Sequence, residues 1–410
     1  RQRQMCIRDR HAVVNLMLSH NKIAASSLEA HYRWVGEWYG KNVDVEHASS
    51  LLAAETTKPA LERAEARPFV YHTPVAASGG DASSTMSVKS CELMLTLVQL
   101  LVALSTPAQL VALSRGARLP AAAHGGTWGL TRVLQLEHST LHVRIMDVSH
   151  STDASAAQTM MGSSAEAEVV LRHRMAYAAR LRAAESVSTQ DGTLTRGTFL
   201  ITGGLGGLGL RAAALLVDHA SSSVLLSSRS GRVAHDALGQ ELQLWMVLKK
   251  HVKALSCDSA DASSIRALAD DSTPTGVLHA AGVGDQALLI QLAGQRMRHI
   301  FAAKAFGAWY LHIASSTAGL EMCLLFSSAA AIGFRNLGSY AASNAYLDAL
   351  SLLRREQGTA ACSMQWPGVS GAGAGVGWTN EVAAMREREV DLTGASGVVF
   401  ISLEAYAACV

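Results

Sequence analysis

No two of the six cysteines stand in a CxxC spacing. Cys6, Cys91, Cys257, Cys323, Cys362 and Cys409 are scattered through apolar runs. That scatter excludes the disulfide framework of a small secreted domain and a clustered metal site. They read as reduced core residues, and no metal is expected. Charge of one sign is also lacking: 35 Lys and Arg against 33 Asp and Glu leave a net +2. No basic stripe interleaved with aromatics appears, so nucleic acid is not an expected partner. The longest apolar run, 93–104, is too short to span a bilayer and contains Gln99, so no membrane association is expected. No secretory h-region opens the chain. The opening RQRQMCIRDR is charged and without periodicity, and is set apart from the fold as a candidate artefact.

The chain is 49% hydrophobic and 17% charged over 410 residues. It can bury a large core, and its length suggests about two to three domains. Residues 1–29 read as a non-domain segment, 30–190 as a supporting subdomain and 191–410 as a catalytic one. In the first half, 77–85 (ASGGDASST) reads as an exposed loop, 91–104 as an apolar helix and 109–114 as a strand. Residues 126–137 (GTWGLTRVLQLE) carry helical spacing, and 141–148 alternate like a strand. Helix and strand therefore alternate, which argues a βαβ sheet without a glycine-rich phosphate loop or a nucleophile elbow. In the second half, strands are expected at 198–202, 223–227, 253–257, 276–279, 322–327 and 360–365, with helices between them. That is an α/β, doubly wound parallel sheet.

Thr202-Gly203-Gly204-Leu205-Gly206-Gly207-Leu208-Gly209 follows the strand TFLIT and opens the helix LRAAALLVDHA. Glycines there tighten the turn, let amides approach a pyrophosphate, and aim the helix N-terminus at its charge. The next strand ends in LLSSRSG, with Ser228 and then Arg229 placed 20 residues after Gly209. An Asp or Glu there would suit the ribose hydroxyl of NAD, whereas an Arg accommodates a 2′-phosphate. The expected cofactor is NADPH, and the bland alternative is a solvated surface Arg. Asp258 is a candidate adenine contact or a simple turn aspartate. His279-Ala280-Ala281-Gly282 ends the fourth strand with small residues that leave room for a ligand. His279 is given no proton-transfer role.

The fifth strand ends in Phe326-Ser327-Ser328, and Tyr340 follows Ser328 by twelve residues. Tyr340 and Asn344, four apart, share a helix face. Carbonyl reduction puts hydride on carbon and negative charge on oxygen, so the oxygen needs a proton donor and a second hydrogen-bond donor. A tyrosine and a serine supply both, and a nearby cation makes the phenol a better acid. Lys304, in FAAKAFGAWYLH, is the candidate cation.

TGGLGGLG, SRSG, HAAGV, the Lys304 helix, FSSAAA, YAASNAYLDAL and QWPGV occur in that order. The chain resembles the short-chain dehydrogenase/reductase superfamily, and within it the ketoreductase region of modular type I polyketide synthases and animal-type fatty acid synthases. Ordinary members place the lysine four residues after the tyrosine. Asn344 and Lys304 match the exchange made in the synthases. HGGTWGLTRVLQLEHSTLHVRIMDVS and EVVLRHRMAYAARL extend the likeness to a truncated Rossmann-like structural subdomain.

The resemblance implies that Tyr340 protonates the ketide oxygen and Ser328 hydrogen-bonds it. Lys304 tunes the tyrosine and Asn344 holds a relay water. Trp366, Pro367, Gly368 and Val369 line the nicotinamide end, and 371–377 with the following helix form a mobile lid. The family usually has thirteen residues from serine to tyrosine, so either the loop IGFRNLG is one residue short or Ser327 takes the role; Ser328 is favoured. Gly284-Asp285-Gln286 stands where one stereochemical class carries Leu-Asp-Asp, which leaves the alcohol configuration open. No carrier-protein, ketosynthase or acyltransferase motif is present. The expected role is reduction of a β-ketoacyl thioester borne by an acyl carrier protein, beside neighbouring synthase domains of a larger megasynthase. A fatty acid synthase ketoreductase and an inactive ketoreductase-like scaffold are the alternatives. The expected location is cytoplasmic, or plastid in an alga.

Overall fold

The computed structural model describes residues 15–20, 33–34, 69–72, 83–103, 110–115, 122–148, 166–172, 175–182, 197–220, 223–232, 251–316, 319–369, 401 and 406. The expected lid at 371–377 lies outside the described residues, as do 1–14. Among these residues there are two sheets, one in each half of the chain.

The first sheet has seven strands in the order β1-β7-β6-β5-β4-β3-β2. They are β1 (Asn15–His20), β2 (Arg33–Trp34), β3 (Phe69–His72), β4 (Leu110–Arg115), β5 (Arg144–Val148), β6 (Glu168–Arg172) and β7 (Met175–Arg182). β2 to β6 run parallel, while β7 turns back on β6 and β1 adds antiparallel to β7. The supporting sheet therefore starts before residue 30, and residues 1–29 are not wholly outside the domain. β1 is joined by backbone pairing with β7, a contact about 160 residues away in sequence that no local pattern encodes.

Helix α1 (Ser83–Ala103) and helix α2 (Gly125–Glu137) cover this sheet. α1 begins eight residues before the expected start, so the end of the expected loop 77–85 is helical and Ser84 is buried. Its first turns carry Ser84, Ser87 and Ser90, polar in sequence yet packed inside. By length and composition alone Ser84–Ala103 would cross a membrane, but its apolar face is buried in the protein core. The expected strand at 141–148 is shorter. Ser139–Leu141 form a 3-10 turn and His142 has φ 40°, so extended backbone starts at Arg144.

The second sheet has the order β10-β9-β8-β11-β12-β13, every neighbouring pair parallel. Its strands are β8 (Thr198–Thr202), β9 (Ser223–Ser228), β10 (Val252–Ser256), β11 (Gly276–His279), β12 (Met322–Ser328) and β13 (Cys362–Trp366). In order of appearance this is 3-2-1-4-5-6, the doubly wound Rossmann arrangement, with its switch point between β8 and β11. Among the described residues its helices are α3 (Gly207–Ala220), α4 (Ala262–Ser272), α5 (Gly294–Phe301), α6 (Gly307–Ala314) and α7 (Gly338–Glu356). At the start of α4 the Asp261 carboxylate accepts from the hydroxyls of Ser264 and Ser263 and from both their backbone N–H groups, and these bonds, the hydroxyls foremost, hold its pKa down at about 2. The expected strand at 360–365 starts two residues late, because Thr359 and Ala360 close α7 through Arg354.

The two halves share one core, with α2 lying against α7. A side chain at Gly129 would put its Cβ 2.4 Å from Ala341 O. Gly129→Ala is expected to cost about 1–3 kcal/mol, since backbone of a second helix has to shift. A urea titration reads the loss, and an unchanged midpoint would contradict this close approach. An ion pair and an amide on α1 also join the halves. Arg298 of α5 holds Glu92 of α1 at 2.5 and 3.0 Å, and Gln99 Nε2 donates to Leu289 O and Leu292 O.

Candidate active site

The C-terminal ends of the parallel strands converge on one edge of the second sheet, where an open α/β sheet leaves its binding crevice. Thr202, Ser228, His279, Ser328 and Trp366 all end strands there. At the switch point the buried His279 ties two elements together. Its Nδ1 is 2.7 Å from Thr202 Oγ1 and its Nε2 2.8 Å from Lys304 O. Burial holds the imidazole down at about pKa 4, so the ring is neutral and links strand to helix.

Gly203 leaves β8 with φ 67°, and a Cβ there would meet Ala281 Cα at 2.6 Å. Only glycine brings the turn this close to the Ala280-Ala281 backbone. Gly204 donates from its N to Ser227 O, Gly206 follows in the turn, and Gly207, Leu208 and Gly209 open α3. Tyr406 Oη donates to Leu208 O and packs against Trp366, bracing the turn from below. Ser228 and Arg229 line an open cavity of about 490 Å³ together with Ser230, and Arg229 is exposed. Asp258 is exposed at the end of β10, and its Oδ1 accepts from Ala260 N. That bond is the turn use of the residue, with Oδ2 left for any ligand. Gly282 lies against Lys304, whose Cε would be 2.7 Å from a Cβ. Pro367, Gly368 and Val369 follow β13, held where Ile401 N donates to Gly368 O.

Lys304 is carried on a π-helical turn, Ala302–Phe306, between α5 and α6. Such bulges re-aim a side chain, and here the ammonium turns inward. Lys304 is 5% exposed, Nζ donates to Phe326 O at 2.9 Å, and it lies 5.3 Å from the Tyr340 ring centroid. Burial lowers its pKa to about 8, against the opposing field of Asp348 on α7. Asp348 itself accepts from Ser363 Oγ and Gln365 Nε2 of β13.

Tyr340 stands in the first turn of α7. Burial raises its phenol pKa, while side-chain hydrogen bonding with Ser328 and Asn344 lowers it. Ser328 is therefore the serine beside the phenol. Ser327 is buried and donates to Asn344 O. Asn344 Nδ2 donates to Tyr340 O, and its buried Oδ1 has no partner among the described residues. Tyr340, Ser328, Lys304 and Asn344 thus gather at one place. Two residues that the sequence reading passed over also reach it. Arg132 and Glu137 of α2 hold the loop between Ser328 and Tyr340, through Ala331 O and Asn336 N. Their only sequence signal was membership of the GTWGLTRVLQLE run.

A model of the KR domain family matches residues 197–371. The chain is 26% identical to a solved A1-type ketoreductase, with TM-score 0.78 over 96% of this chain and 89% of that one. A chain from a solved structure of A-type ketoreductases from a modular polyketide synthase gives 26% identity and TM-score 0.77, with the same coverage. The chain is a ketoreductase region of the modular polyketide synthase family. Among curated relatives, this ketoreductase is 33% identical to the polyketide synthase GfsA of Streptomyces halstedii, over 71% of this chain and 4% of the synthase. It is 29% identical to the 6-methylsalicylic acid synthase of Aspergillus niger, over 80% of this chain and 20% of that synthase. The ketoreductase thus spans a small part of the synthases it matches. Its superfamily is the nicotinamide-dependent short-chain dehydrogenases and reductases.

Proposed function

We propose that this chain reduces a β-ketoacyl thioester to the β-hydroxyacyl thioester during polyketide extension, with NADPH as the reductant. The observation that carries it is the meeting of a phenol, a hydroxyl and a buried ammonium beside the glycine turn. The residues present fit the cofactor. The Gly203 turn against Ala281 leaves backbone for a pyrophosphate, and the Arg229 cavity suits a 2′-phosphate. When bound, NADPH supplies the hydride. Ser328 and Tyr340 hold the ketone oxygen, and Tyr340 releases its proton as negative charge grows there. The Lys304 ammonium stabilises the phenolate left behind, and Asn344 Oδ1 holds the water that returns a proton. Pro367, Gly368 and Val369 border the nicotinamide end. The partners of this reading are an acyl carrier protein and neighbouring synthase domains, in the cytoplasm; the relatives lend a plastid location no support.

NADPH oxidation with a β-ketoacyl thioester surrogate tests the reading. Turnover is expected, whereas NADPH binding without reduction of any ketone would favour an inert scaffold. Arg229→Ala is expected to weaken NADPH by about 10–100-fold, the worth of one or two charged hydrogen bonds, and NADH far less. Equal losses for both, measured by fluorescence titration, would remove the phosphate role.

A further inference from the structure

We propose that Glu137, the last residue of α2 in the supporting half, is a positioning residue for the reducing site. It acts by clamping the loop that enters the Tyr340 helix to the segment packed beneath it. The proposal rests on the ketoreductase reading above.

Both carboxylate oxygens are engaged. Oε1 accepts from Asn336 N and Oε2 from Leu289 N, each at 2.8 Å. Asn336 is the last residue but one before α7, and it has φ 65°. The N-cap position of α7 is Leu337, whose side chain offers no cap. The carboxylate of Glu137 thus stands near the positive end of a helix that lacks its own acceptor. Leu289 lies below the same helix start: its Cδ2 would be 2.4 Å from a Cβ on Gly338. One carboxylate therefore fixes two segments that meet two residues before Tyr340.

The rest of the loop is tied down from the same half. Arg132 donates to Ala331 O at 2.8 Å and is itself held by both oxygens of Glu168. Asn336 O accepts from Ala287 N, so the two segments also pair directly. Further along, Asp285 and Gln286 O are both held by Arg296. Through the Arg132 and Glu137 bonds the supporting half sets where Tyr340 stands relative to Ser328.

Glu137→Gln is the decisive variant. It keeps one acceptor but turns an NH2 toward an N–H, so one segment is released while the volume stays. Amide hydrogen exchange at Leu289 and Asn336 is expected to quicken by about tenfold or more, with the melting temperature lowered by only a few degrees and NADPH affinity unchanged. In turnover, kcat is expected to fall by about tenfold with KM little changed, and the configurational purity of the alcohol to drop. Glu137→Asp, too short to span both amides, is expected to behave alike. Unchanged exchange at both amides in a folded Glu137→Gln protein would overturn the clamp. So would a native kcat with native product configuration. If the unaltered chain reduces no ketone, the reductase reading fails, and the exchange measurement still decides the clamp.

Discussion

Tyr340→Phe is expected to lower ketone reduction by about 10²–10⁴-fold while NADPH binds as before. Among the described residues the phenol is the group beside Ser328 able to give a proton to a developing alkoxide. Ser328 is a far weaker acid, and the Lys304 amine is already committed to Phe326 O. Removing one oxygen atom leaves the ring, its packing and the Lys304 contact in place, so the loss falls on the chemical step. Steady-state rates with a ketone surrogate, set beside a cofactor titration, separate the two. A variant that keeps even a tenth of native kcat would mean that another group delivers the proton.

Lys304→Met carries the second large effect. The ammonium sits 5.3 Å from the ring centroid and favours the phenolate, so its loss is expected to cost about 10²-fold or more in kcat. Burial sets the pKa of Lys304 at about 8, so reduction by the native protein is expected to fall as pH rises through that value. The pH profile of Lys304→Met is expected to lack that limb. Stability follows the same titration with a definite sign. The folded value lies below the ordinary 10.5, so the unfolded chain binds more protons between about pH 8 and 10.5. Below 8 the fold bears the whole cost of a buried cation, roughly 3 kcal/mol, and that cost fades as pH rises toward 10.5. The unfolding free energy of the native protein relative to Lys304→Met should therefore climb across this window. Urea titrations at pH 7 and pH 10 read it; a flat difference would mean that the amine is not buried as a cation.

The second half was more legible than the first, and the reason is periodicity. Strands of a parallel sheet covered on both faces are unbroken apolar runs, so 198–202 and 276–279 match their observed bounds. In the supporting half the signals mislead. The buried face of α1 carries Ser84, Ser87 and Ser90, of which Ser84 fell in the expected loop and the other two before the expected helix. β1 has meaning only once β7 is beside it. The serine ambiguity has the same origin: Ser327 and Ser328 differ by one residue, hence by sheet face, and only the packing of α7 shows that Ser328 faces the phenol.

The chain's own order of residues determined the class of protein: a glycine turn after a strand, an arginine at the next strand's end, and a tyrosine four before an asparagine. Those are local spacings, and local backbone geometry turns them into shared faces and helix starts without help from distant residues. Tertiary structure alone decided the protonation and aim of the site. Lys304 sits at about pKa 8 because the fold removes its water. The Ser328–Tyr340 loop is held by Arg132 and Glu137, about 200 residues away in sequence. Desolvation and long-range hydrogen bonds belong to packed neighbours, and neighbours exist only once the two halves have closed on each other.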